Sequence, residues 1–502
     1  MMNSQPVRFT RRTFFRGAAV LFAGAFLSAC GTTPRGYHGP RRALPIPPLA
    51  DAVREGSGVT FRLDAGAVDA AILPDATTPV WGFNGAHLGP TLRVRRGEEV
   101  TLQVHNGLSE MTTIHWHGMK LPAEMDGGPH QPIEPGETWA PRFTVDQPAA
   151  TLWYHPHPHG LTGLHAYRGL AGLFYVDDAL SDGLNLPGEY GVDDIPVILM
   201  DHKFHEDGTL DDIEVPDLGL KGDVATVNGI TNAGFTATTR RVRLRLLDAS
   251  TMRFFNLRFS DGRTFHVVAS DSGLLPEPVP VEHLYLSPGE RTEIVVDLAP
   301  EEEIMLEAAA FPENLEVPED EYALDFGLQD RFELLQLTGP PEGTAVPGAL
   351  PAQLAPVPEL DVTDAVEREF RLNTFEINGE LMDMTRVDVT IDHDRPEVWT
   401  VVNENSDWIH NFHIHNAFFH VLSVAGTQAP IWTQGPKDTV ALPPGTTVRL
   451  AVSFGQYPDP EWAYMYHCHM LFHEDQGMMG QFVMVEPGRE ADLGEVYGHT
   501  GH

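Results

Sequence analysis

The stretch Glu99–Asn106, EVTLQVHN, alternates apolar and polar residues, and the motif His115-Trp116-His117 begins nine residues after its end. A second stretch, Glu397–Asn403, EVWTVVN, is followed ten residues later by His413-Ile414-His415. Alternation with a period of two over a short run is typical of half-buried strands. Because the same order of strand and histidine pair recurs, the sequence predicts two copies of a duplicated β unit.

A third copy lies between these two and lacks the histidines. Val242–Asp248 alternates in the same way, but Phe254–Phe259 stands where the other copies have a histidine pair. No segment of the sequence shows a long helical period. The sequence therefore predicts an all-β protein of three β-sandwich units, with its chemistry confined to the first and third units.

Length and composition agree with this architecture and exclude several classes of protein. The chain has 502 residues, 42% hydrophobic and 21% charged, and so predicts about two to four globular domains. Its 71 acidic and 33 basic residues give a formal net charge of -38, whereas nucleic-acid-binding proteins need a positive surface. This acidity favours solubility, or a field that attracts cationic substrates. No apolar run of about 18 residues follows residue 30, so no transmembrane helix is expected.

The first thirty residues resemble an export signal. Arg11 and Arg12 precede the apolar run Gly17–Ala29, which is too short to span a bilayer but suits a twin-arginine signal. Leu27–Gly31, LSACG, resembles a bacterial lipobox, in which Cys30 is lipidated and becomes the mature N-terminus. We therefore predict export to the periplasm by the twin-arginine route, with a lipid anchor on Cys30.

Four histidine-rich motifs contain the candidate chemistry. An H-x-H pair on a strand points both imidazoles to one face, because side chains alternate, and this suits metal ions bound close together. Two motifs lie near the beginning of the chain and two near its end, which predicts a polynuclear metal site. They are His115-Trp116-His117, His155-Pro156-His157-Pro158-His159, His410-Asn411-Phe412-His413-Ile414-His415 and His467-Cys468-His469-Met470-Leu471-Phe472-His473.

The ligand types around the last motif predict copper. Cys468, His473 and Met478 form a C-x4-H-x4-M pattern, and His410 supplies a second imidazole. Two histidines, one cysteine and a distant methionine are the ligands of a blue-copper site. Zinc favours several thiolates, or histidine with carboxylate, and iron–sulfur clusters need more cysteines than the two in this chain.

All four motifs, in their order, resemble those of the multicopper oxidases, and the resemblance runs from about residue 50 to residue 488. Val145–Thr151, Gly169–Leu173 and His473–Met479 are similar to segments of the bacterial periplasmic cuprous oxidases. The resemblance implies three tandem cupredoxin-like Greek-key β-sandwich domains. The division that we predict is an export signal at 1–30, a Pro-rich spacer at 31–50, domain 1 at 51–180, a copper-free domain 2 at 189–338, a linker at 339–360, domain 3 at 361–488 and a tail at 489–502.

The resemblance also implies four copper ions and a role for each candidate residue. Glu474 and Asp126 match positions that donate protons or orient water, and Asp407 is a candidate for the donor entrance. Asn411 stands where the resembled enzymes commonly have proline, and we expect it to alter the loop rather than the ligands. The implied ligands are His410, Cys468, His473 and Met478 for type 1 copper, His115 and His413 for type 2 copper, and His117, His155, His469, His157, His415 and His467 for the type 3 pair.

The implied reaction couples one-electron oxidation of a donor to four-electron reduction of O2 to water, catalysed by a monomer. Two donor classes compete: phenols and other organic compounds, as for a laccase, and Cu(I), as for a cuprous oxidase. Soft thioethers bind Cu(I), but residues 300–400 contain only Met305, Met382 and Met384. We therefore favour organic donors and keep Cu(I) as the alternative, for which the acidic stretch Glu313–Asp325 could attract cations.

Three further classes of protein are alternatives to an oxidase. A non-catalytic relative, such as a structural or cell-division protein, would keep the fold but lose ligands from the histidine motifs. A copper nitrite reductase would lack the full His-Cys-His arrangement, and a copper store would not need a trinuclear cluster. All twelve implied ligand positions are filled in this chain, so we expect an enzyme.

Overall fold

The computed structural model describes residues 39–213, 218–318, 321–356 and 360–493. Strands make up 45% of the structure and short helices 7%, which confirms the all-β class. Within the described ranges, no helix is long and apolar enough to cross a membrane. The predicted export signal, the predicted lipobox with Cys30 and the tail from residue 494 onward lie outside the described residues.

Of the described strands that precede residue 178, all except β1 form the first sandwich. These strands are β1 (Arg42–Ala43), β2 (Ala52–Glu55), β3 (Gly58–Ala70), β4 (Thr78–Phe83), β5 (Ala86–His87), β6 (Leu92–Arg95), β7 (Glu99–Asn106), β8 (Thr138–Trp139), β9 (Arg142–Thr144), β10 (Ala150–Tyr154) and β11 (Gly172–Asp177). The strands other than β1 form the sheets β5-β4-β3-β7-β8 and β10-β11-β6, with β2 beside β3 and β9 beside β7. Phe61, Leu102 and Phe174 belong to the buried core that both sheets share.

The second sandwich begins at Asp194 and recruits β1 from the N-terminal segment. Its other strands are β12 (Asp194–His202), β13 (Val224–Val227), β14 (Ala233–Thr236), β15 (Arg241–Asp248), β16 (Phe255–Phe259), β17 (Phe265–Ser270), β18 (Gly273–Val281), β19 (His283–Leu286), β20 (Arg291–Asp297), β21 (Glu303–Ala309) and β22 (Phe332–Thr338). They form the sheets β13-β12-β15-β20-β17-β18 and β1-β14-β22-β21-β16-β19. Arg42 of β1 pairs with Ala233, so this part of the predicted Pro-rich spacer packs on the second sandwich, whereas Ala50 at its end donates to Thr91 O of the first sandwich at 2.9 Å.

The third sandwich contains the last two histidine motifs. Its strands are β23 (Val366–Asn373), β24 (Glu376–Ile377), β25 (Val389–Asp392), β26 (Glu397–Asn403), β27 (His410–Ile414), β28 (Ala417–Val424), β29 (Thr439–Leu442), β30 (Thr447–Phe454), β31 (Ala463–His467) and β32 (Met479–Val485). They form the sheets β24-β23-β26-β30-β28 and β25-β32-β31-β27-β29. In the predicted linker before it, Leu354 is buried and its N–H donates to Pro276 O at 2.8 Å, so this segment packs on the second sandwich.

The repeated stretches of sequence occupy the same place in each sandwich. β7, β15 and β26 each pair in parallel with an earlier strand, which is β3, β12 or β23. Burial alternates along β7 as predicted, whereas β15 is buried on both faces. The polar face of β15 packs against the first sandwich, where Arg245 donates to Thr151 Oγ1 at 3.0 Å. Alternation in the sequence of β15 therefore does not become alternation in exposure.

Two short helices, one after the second histidine motif and one within the segment of the fourth, contact each other. The described α-helices are α1 (Thr162–Tyr167), α2 (Ala179–Asp182), α3 (Glu321–Asp325) and α4 (Leu471–Asp475). Asp475 of α4 accepts hydrogen bonds from the N–H groups of Thr162 and Gly163, each at 2.8 Å. These N–H groups begin α1 and have no partner within the helix, so Asp475 caps α1 across the contact between two sandwiches.

Lys120 is a partly buried amine at the contact between the first and third sandwiches. Its Nζ lies 3.8 Å from the centre of the Phe418 ring and 3.5 Å from Ser453 Oγ. Burial lowers the pKa of Lys120 to about 7, below its value of about 10.4 in an unfolded chain. Below pH 7 the amine is charged in both states, and the folded state bears the full cost of burying that charge. This cost disappears as the pH rises toward the unfolded pKa.

We therefore expect Lys120→Met to raise the free energy of unfolding by about 1 kcal/mol at pH 6, because methionine keeps the apolar stem without the charge. The gain should shrink at pH 10, where the parent amine is mostly neutral. Denaturant unfolding at both pH values measures it. Lys203→Met is the control, because Lys203 is only partly buried and its amine pairs with Asp211 at 2.8 Å. Equal stability of parent and Lys120→Met at pH 6 would contradict the prediction.

Candidate metal centre

The histidine motifs converge on four groups of imidazole and thiol ligands among the described residues. Within each group, one ligand atom of every residue lies within 4.8 Å of the others, and every member is buried. The groups are His115, His117 and His413; His117, His155 and His469; His157, His415 and His467; and His410, Cys468 and His473.

Strand pairing brings the motifs together. His413 of β27 pairs with His467 at the end of β31. His115 and His155 exchange backbone hydrogen bonds of 2.7 and 3.2 Å. The first three groups each combine histidines from the first and third sandwiches, so this part of the centre lies between those sandwiches.

The outer ring nitrogens of several histidines are held by the protein, which leaves the inner nitrogens as lone pairs. Nδ1 of His115, His413 and His155 donates to backbone carbonyl oxygens at 2.9, 2.8 and 2.8 Å. The Nε2 atoms of the same three residues are buried and have no hydrogen-bond partner among the described residues. Metal-binding histidines commonly donate their other N–H in this way, which sets the tautomer. The residues present therefore fit bound metal ions.

The inner nitrogens face one another at short distances. His467 Nε2 lies 3.2 Å from Nε2 of both His157 and His415, and His117 Nδ1 lies 3.2 Å from His469 Nε2. Burial lowers the pKa of His157 to about 4, and it lowers the pKa of His117, His415 and His469 well below the ordinary value. These imidazoles are therefore neutral, which is the form that binds a metal ion.

The fourth group has the composition of a blue-copper site. His410 Nδ1 and His473 Nδ1 lie 3.2 Å apart, and Cys468 Sγ lies 3.7 and 3.8 Å from them. Burial raises the pKa of the Cys468 thiol to about 12, so a bound cation would have to replace its proton. Met478 is buried in the same apolar cluster, and its carbonyl oxygen accepts from the Cys468 N–H at 3.1 Å. This set of donors fits copper.

Comparison with known proteins identifies the family. A family model described as multicopper oxidase matches residues 65–181, and a second model with that description matches residues 353–488. The chain is 34% identical over 440 residues to the multicopper oxidase mco of Staphylococcus haemolyticus, covering 87% of this chain and 91% of that protein. The chain belongs to the multicopper oxidase family.

Other relatives of this multicopper oxidase have different names. The cell division protein FtsP of Yersinia pestis is 37% identical over 452 residues, which cover 88% of this chain and 92% of that protein. The crystal structure of a laccase from Pediococcus acidilactici matches with a TM-score of 0.81 at 33% identity, covering 90% of this chain and 96% of that chain. The family comprises copper oxidoreductases, and the groups described above are compatible with copper sites.

Two buried carboxylates adjoin the histidines of this multicopper oxidase. Asp126 Oδ2 accepts from His415 Nδ1 at 2.6 Å, and burial raises the pKa of Asp126 well above its ordinary value. The Glu474 carboxylate lies 3.3 Å from His157 Nδ1 and 3.1 Å from His467 Nδ1. Burial alone would raise the pKa of Glu474, but its contacts with His157 and His467 outweigh burial and lower that pKa to about 2. Each carboxylate thus contacts different histidines.

Asn411 corrects one expectation from the sequence. It lies inside β27, and its Oδ1 accepts from the His469 N–H at 2.7 Å and lies 3.5 Å from Cys468 Sγ. Its Nδ2 donates to Pro288 O at 2.8 Å. A proline side chain could make none of these contacts. Asn411 therefore lies in a strand rather than in a loop, and it contacts two of the ligand residues directly.

The outer edge of the mononuclear group contains a residue that sequence analysis missed. His410 Nε2 donates to Asn405 Oδ1 at 2.9 Å, and Asn405 is half-buried. Asp407, the candidate for the donor entrance, lies two residues further along the same loop and is also half-buried. The only signal for Asn405 was its place five residues before His410. His159, the last histidine of the second motif, is exposed and belongs to none of the four groups.

The acidic stretch of the second sandwich adjoins the apolar cluster that contains Cys468. Val317 and Phe326, on either side of α3, belong to the same buried cluster as Cys468. The Phe326 ring lies 6.5 Å from the Trp408 ring, and Trp408 stacks on His473 with centroids 5.4 Å apart. Among the described side chains of this segment, apolar contacts therefore join it to the third sandwich.

Proposed function

We propose that this multicopper oxidase couples the one-electron oxidation of phenolic and other organic donors to the four-electron reduction of O2 to water. The main support is the position of Cys468. It belongs to the mononuclear group, whereas its sequence neighbours His467 and His469 belong to two of the other groups. An electron that reaches the mononuclear group therefore has a path through the covalent backbone, from Cys468 to an adjacent residue, to the histidines between the sandwiches.

The proposal assigns four copper ions to the residues that the sequence singled out. Bound copper would supply the redox chemistry and the place where O2 reacts. Asp126 and Glu474 would hold the outer nitrogens of their histidine partners and pass the protons that water formation consumes. The assigned ligands are His410, Cys468, His473 and Met478 for type 1 copper, His115 and His413 for type 2, and His117, His155, His469, His157, His415 and His467 for the type 3 pair.

The surroundings of the mononuclear group favour aromatic donors. Trp408 and Phe375 pack against the His473 ring, with centroids 5.4 and 5.3 Å away. Phe375 is half-buried and leaves part of its ring for a flat apolar donor to stack on, whereas Cu(I) prefers thioether ligands, which are scarce in residues 300–400. The similarity to the Pediococcus acidilactici laccase supports the same donor class.

Cu(I) is the second candidate donor, because an acidic segment adjoins the apolar cluster that contains Cys468. Glu313 and Glu316 are exposed on that segment and would attract cations. The similarity to FtsP raises a third reading, a protein of cell division without oxidase activity. The filled ligand groups of this chain favour an enzyme over that reading.

Oxygen uptake by the copper-loaded protein, offered 2,6-dimethoxyphenol and Cu(I) in parallel, tests the proposal. We expect turnover of the phenol to be at least about tenfold faster, with four electrons consumed per O2 and no peroxide released. Faster turnover of Cu(I), slowed by Glu316→Gln while the phenol rate is unchanged, would make the protein a cuprous oxidase. No uptake with either donor would contradict the oxidase proposal.

The other expectations from the sequence remain our proposals. The domains are assigned to 51–180, 189–338 and 361–488, and the protein is taken as a monomer. Export by the twin-arginine route and lipidation of Cys30 place it in the periplasm, anchored to a membrane. These assignments rest on the sequence motifs given above.

A further inference from the structure

A buried arginine of the second sandwich contacts the metal centre indirectly. Arg291 begins β20, is fully buried, and forms a two-pronged ion pair with Asp438 of the third sandwich. Its Nη1 donates to Asp438 Oδ1 at 2.7 Å, and its Nη2 donates to Oδ2 at 2.6 Å. Among the described residues, the second sandwich supplies no member of the four ligand groups, and this ion pair is one of its contacts with the residues around them.

Asp438 in turn holds two histidines of the centre. Its Oδ1 accepts from His117 Nε2 at 3.0 Å, and its backbone carbonyl oxygen accepts from His413 Nδ1 at 2.8 Å. An ionised carboxylate can only accept hydrogen bonds, so the proton of His117 must sit on Nε2. Nδ1 of His117 then keeps the lone pair that faces His469 Nε2 at 3.2 Å.

We propose that Arg291 is a positioning residue, which sets the tautomer and ring orientation of His117 through Asp438 so that Nδ1 can bind copper. The inference rests on the proposed assignment of His117 as a copper ligand. It gives the copper-free second sandwich a role in building the trinuclear site. Guanidinium suits this role because its planar fork matches both carboxylate oxygens and it never loses its charge.

Every N–H of the Arg291 side chain has a hydrogen-bond acceptor. Only arginine has enough side-chain N–H groups to satisfy all of these acceptors. Besides Asp438, Nε donates to Thr151 O at 3.0 Å, Nη1 to Gly289 O at 3.0 Å and Nη2 to Asp271 O at 2.9 Å. Thr151 belongs to β10, which leads to His155, so the guanidinium bonds to all three sandwiches. Such a fully bonded group has little freedom to move, as a positioning residue requires.

The glycine after His117 supports the same arrangement. A Cβ atom at Gly118 would lie 2.7 Å from Arg291 Nη2 and 2.7 Å from Asp438 Oδ2, and Gly118 has a φ of +85°. A larger residue would therefore displace the ion pair as well as strain the backbone. The motif His115-Trp116-His117-Gly118 thus includes the space that the Arg291–Asp438 pair occupies.

Copper retention by purified variants tests the proposal without any donor or O2. In Asp438→Asn, nearly the same shape remains, but whichever way the amide turns, its NH2 group faces either His117 or Arg291, both donors. We expect the EDTA concentration that removes half of the non-blue copper to fall about ten- to a hundredfold. Arg291→Lys should show a smaller fall, because it keeps the charge but not the fork. The blue absorption of the mononuclear group should remain, which general unfolding would not allow.

Arg245→Met is the matched control, since Arg245 is also a buried arginine of the second sandwich, paired with Asp194 rather than with Asp438. It should lower stability but keep copper retention within about twofold of the parent. Retention within twofold in Asp438→Asn, or an equal loss of blue and non-blue copper, would overturn the inference alone. A parent protein that binds no copper would overturn the proposed function and this inference with it.

Discussion

Replacing Cys468 with serine is expected to lower turnover of every donor by at least about a thousandfold, because a hydroxyl is a poor ligand for copper and does not ionise at neutral pH. Cys468 joins His410 and His473 in the mononuclear group, and its thiolate would be the soft ligand of that group. Without it, electrons would have no copper at the start of the covalent route to His467 and His469.

The same substitution should change the fold very little. Cys468 is fully buried, and serine is smaller by little more than the difference between oxygen and sulfur. We expect Cys468→Ser to lose the blue absorption and about one copper ion per chain while keeping the other copper ions. Stopped-flow reduction, metal analysis and thermal unfolding of parent and variant provide the measurements. Turnover above a tenth of the parental rate would show that electrons do not enter through Cys468.

Arg245→Met is expected to lower the free energy of unfolding by about 3–5 kcal/mol, the usual cost of leaving buried charges without a partner. Arg245 is buried, donates to both Asp194 oxygens at 2.7 and 2.9 Å, and lies 3.2 Å from Glu293. Arg243 also pairs with Glu293. Methionine would leave Asp194 with no guanidinium and Glu293 with one.

The effect should depend on pH with a definite sign. Burial alone would raise the pKa of Glu293, but Arg243 and Arg245 outweigh it and lower that pKa to about 2. A carboxylate with a lowered folded pKa stabilises the protein above its unfolded pKa, near 4.3, and this stabilisation is lost as the pH falls toward 2. The deficit of Arg245→Met should therefore be full at pH 7 and should shrink in acid.

Denaturant unfolding at pH 7 and pH 3 measures the deficit. The control is Arg258→Met, because Arg258 is about half exposed and pairs with Glu307 at 2.7 Å. Surface pairs of this kind contribute at most about 1 kcal/mol. Similar losses in Arg245→Met and Arg258→Met would show that the buried network between the first and second sandwiches is not a main source of stability.

Local sequence patterns predicted much of the fold and of the candidate centre. The alternation in Glu99–Asn106 is a property of one strand, and the alternate burial of β7 confirms it. The same pattern in Val242–Asp248 predicted a half-buried strand, but β15 is buried on both faces. The difference arises because another sandwich covers its polar face, and no local period contains that information.

The residues around the ligands were less predictable than the motifs. Asn405, Asp438 and Arg291 lie outside the histidine motifs, and only Asn405, five residues before His410, lies near one of them in sequence. Asn411 lies inside a motif, yet its contacts with Cys468 and His469 depend on how β27 meets the segment after β31. Side chains of ordinary polar type gain a role only from the neighbours that folding supplies.

The sequence by itself determined the β class, the duplicated unit and the set of candidate ligands, because strand period and H-x-H spacing are encoded within a few residues. Only the tertiary structure decided which distant groups meet. His117 and Asp438 are 321 residues apart in sequence, and Arg291 and Asp438 are 147 apart, yet both pairs are in hydrogen-bond contact. Such contacts depend on the packing of three sandwiches against one another, which exists only in the folded chain.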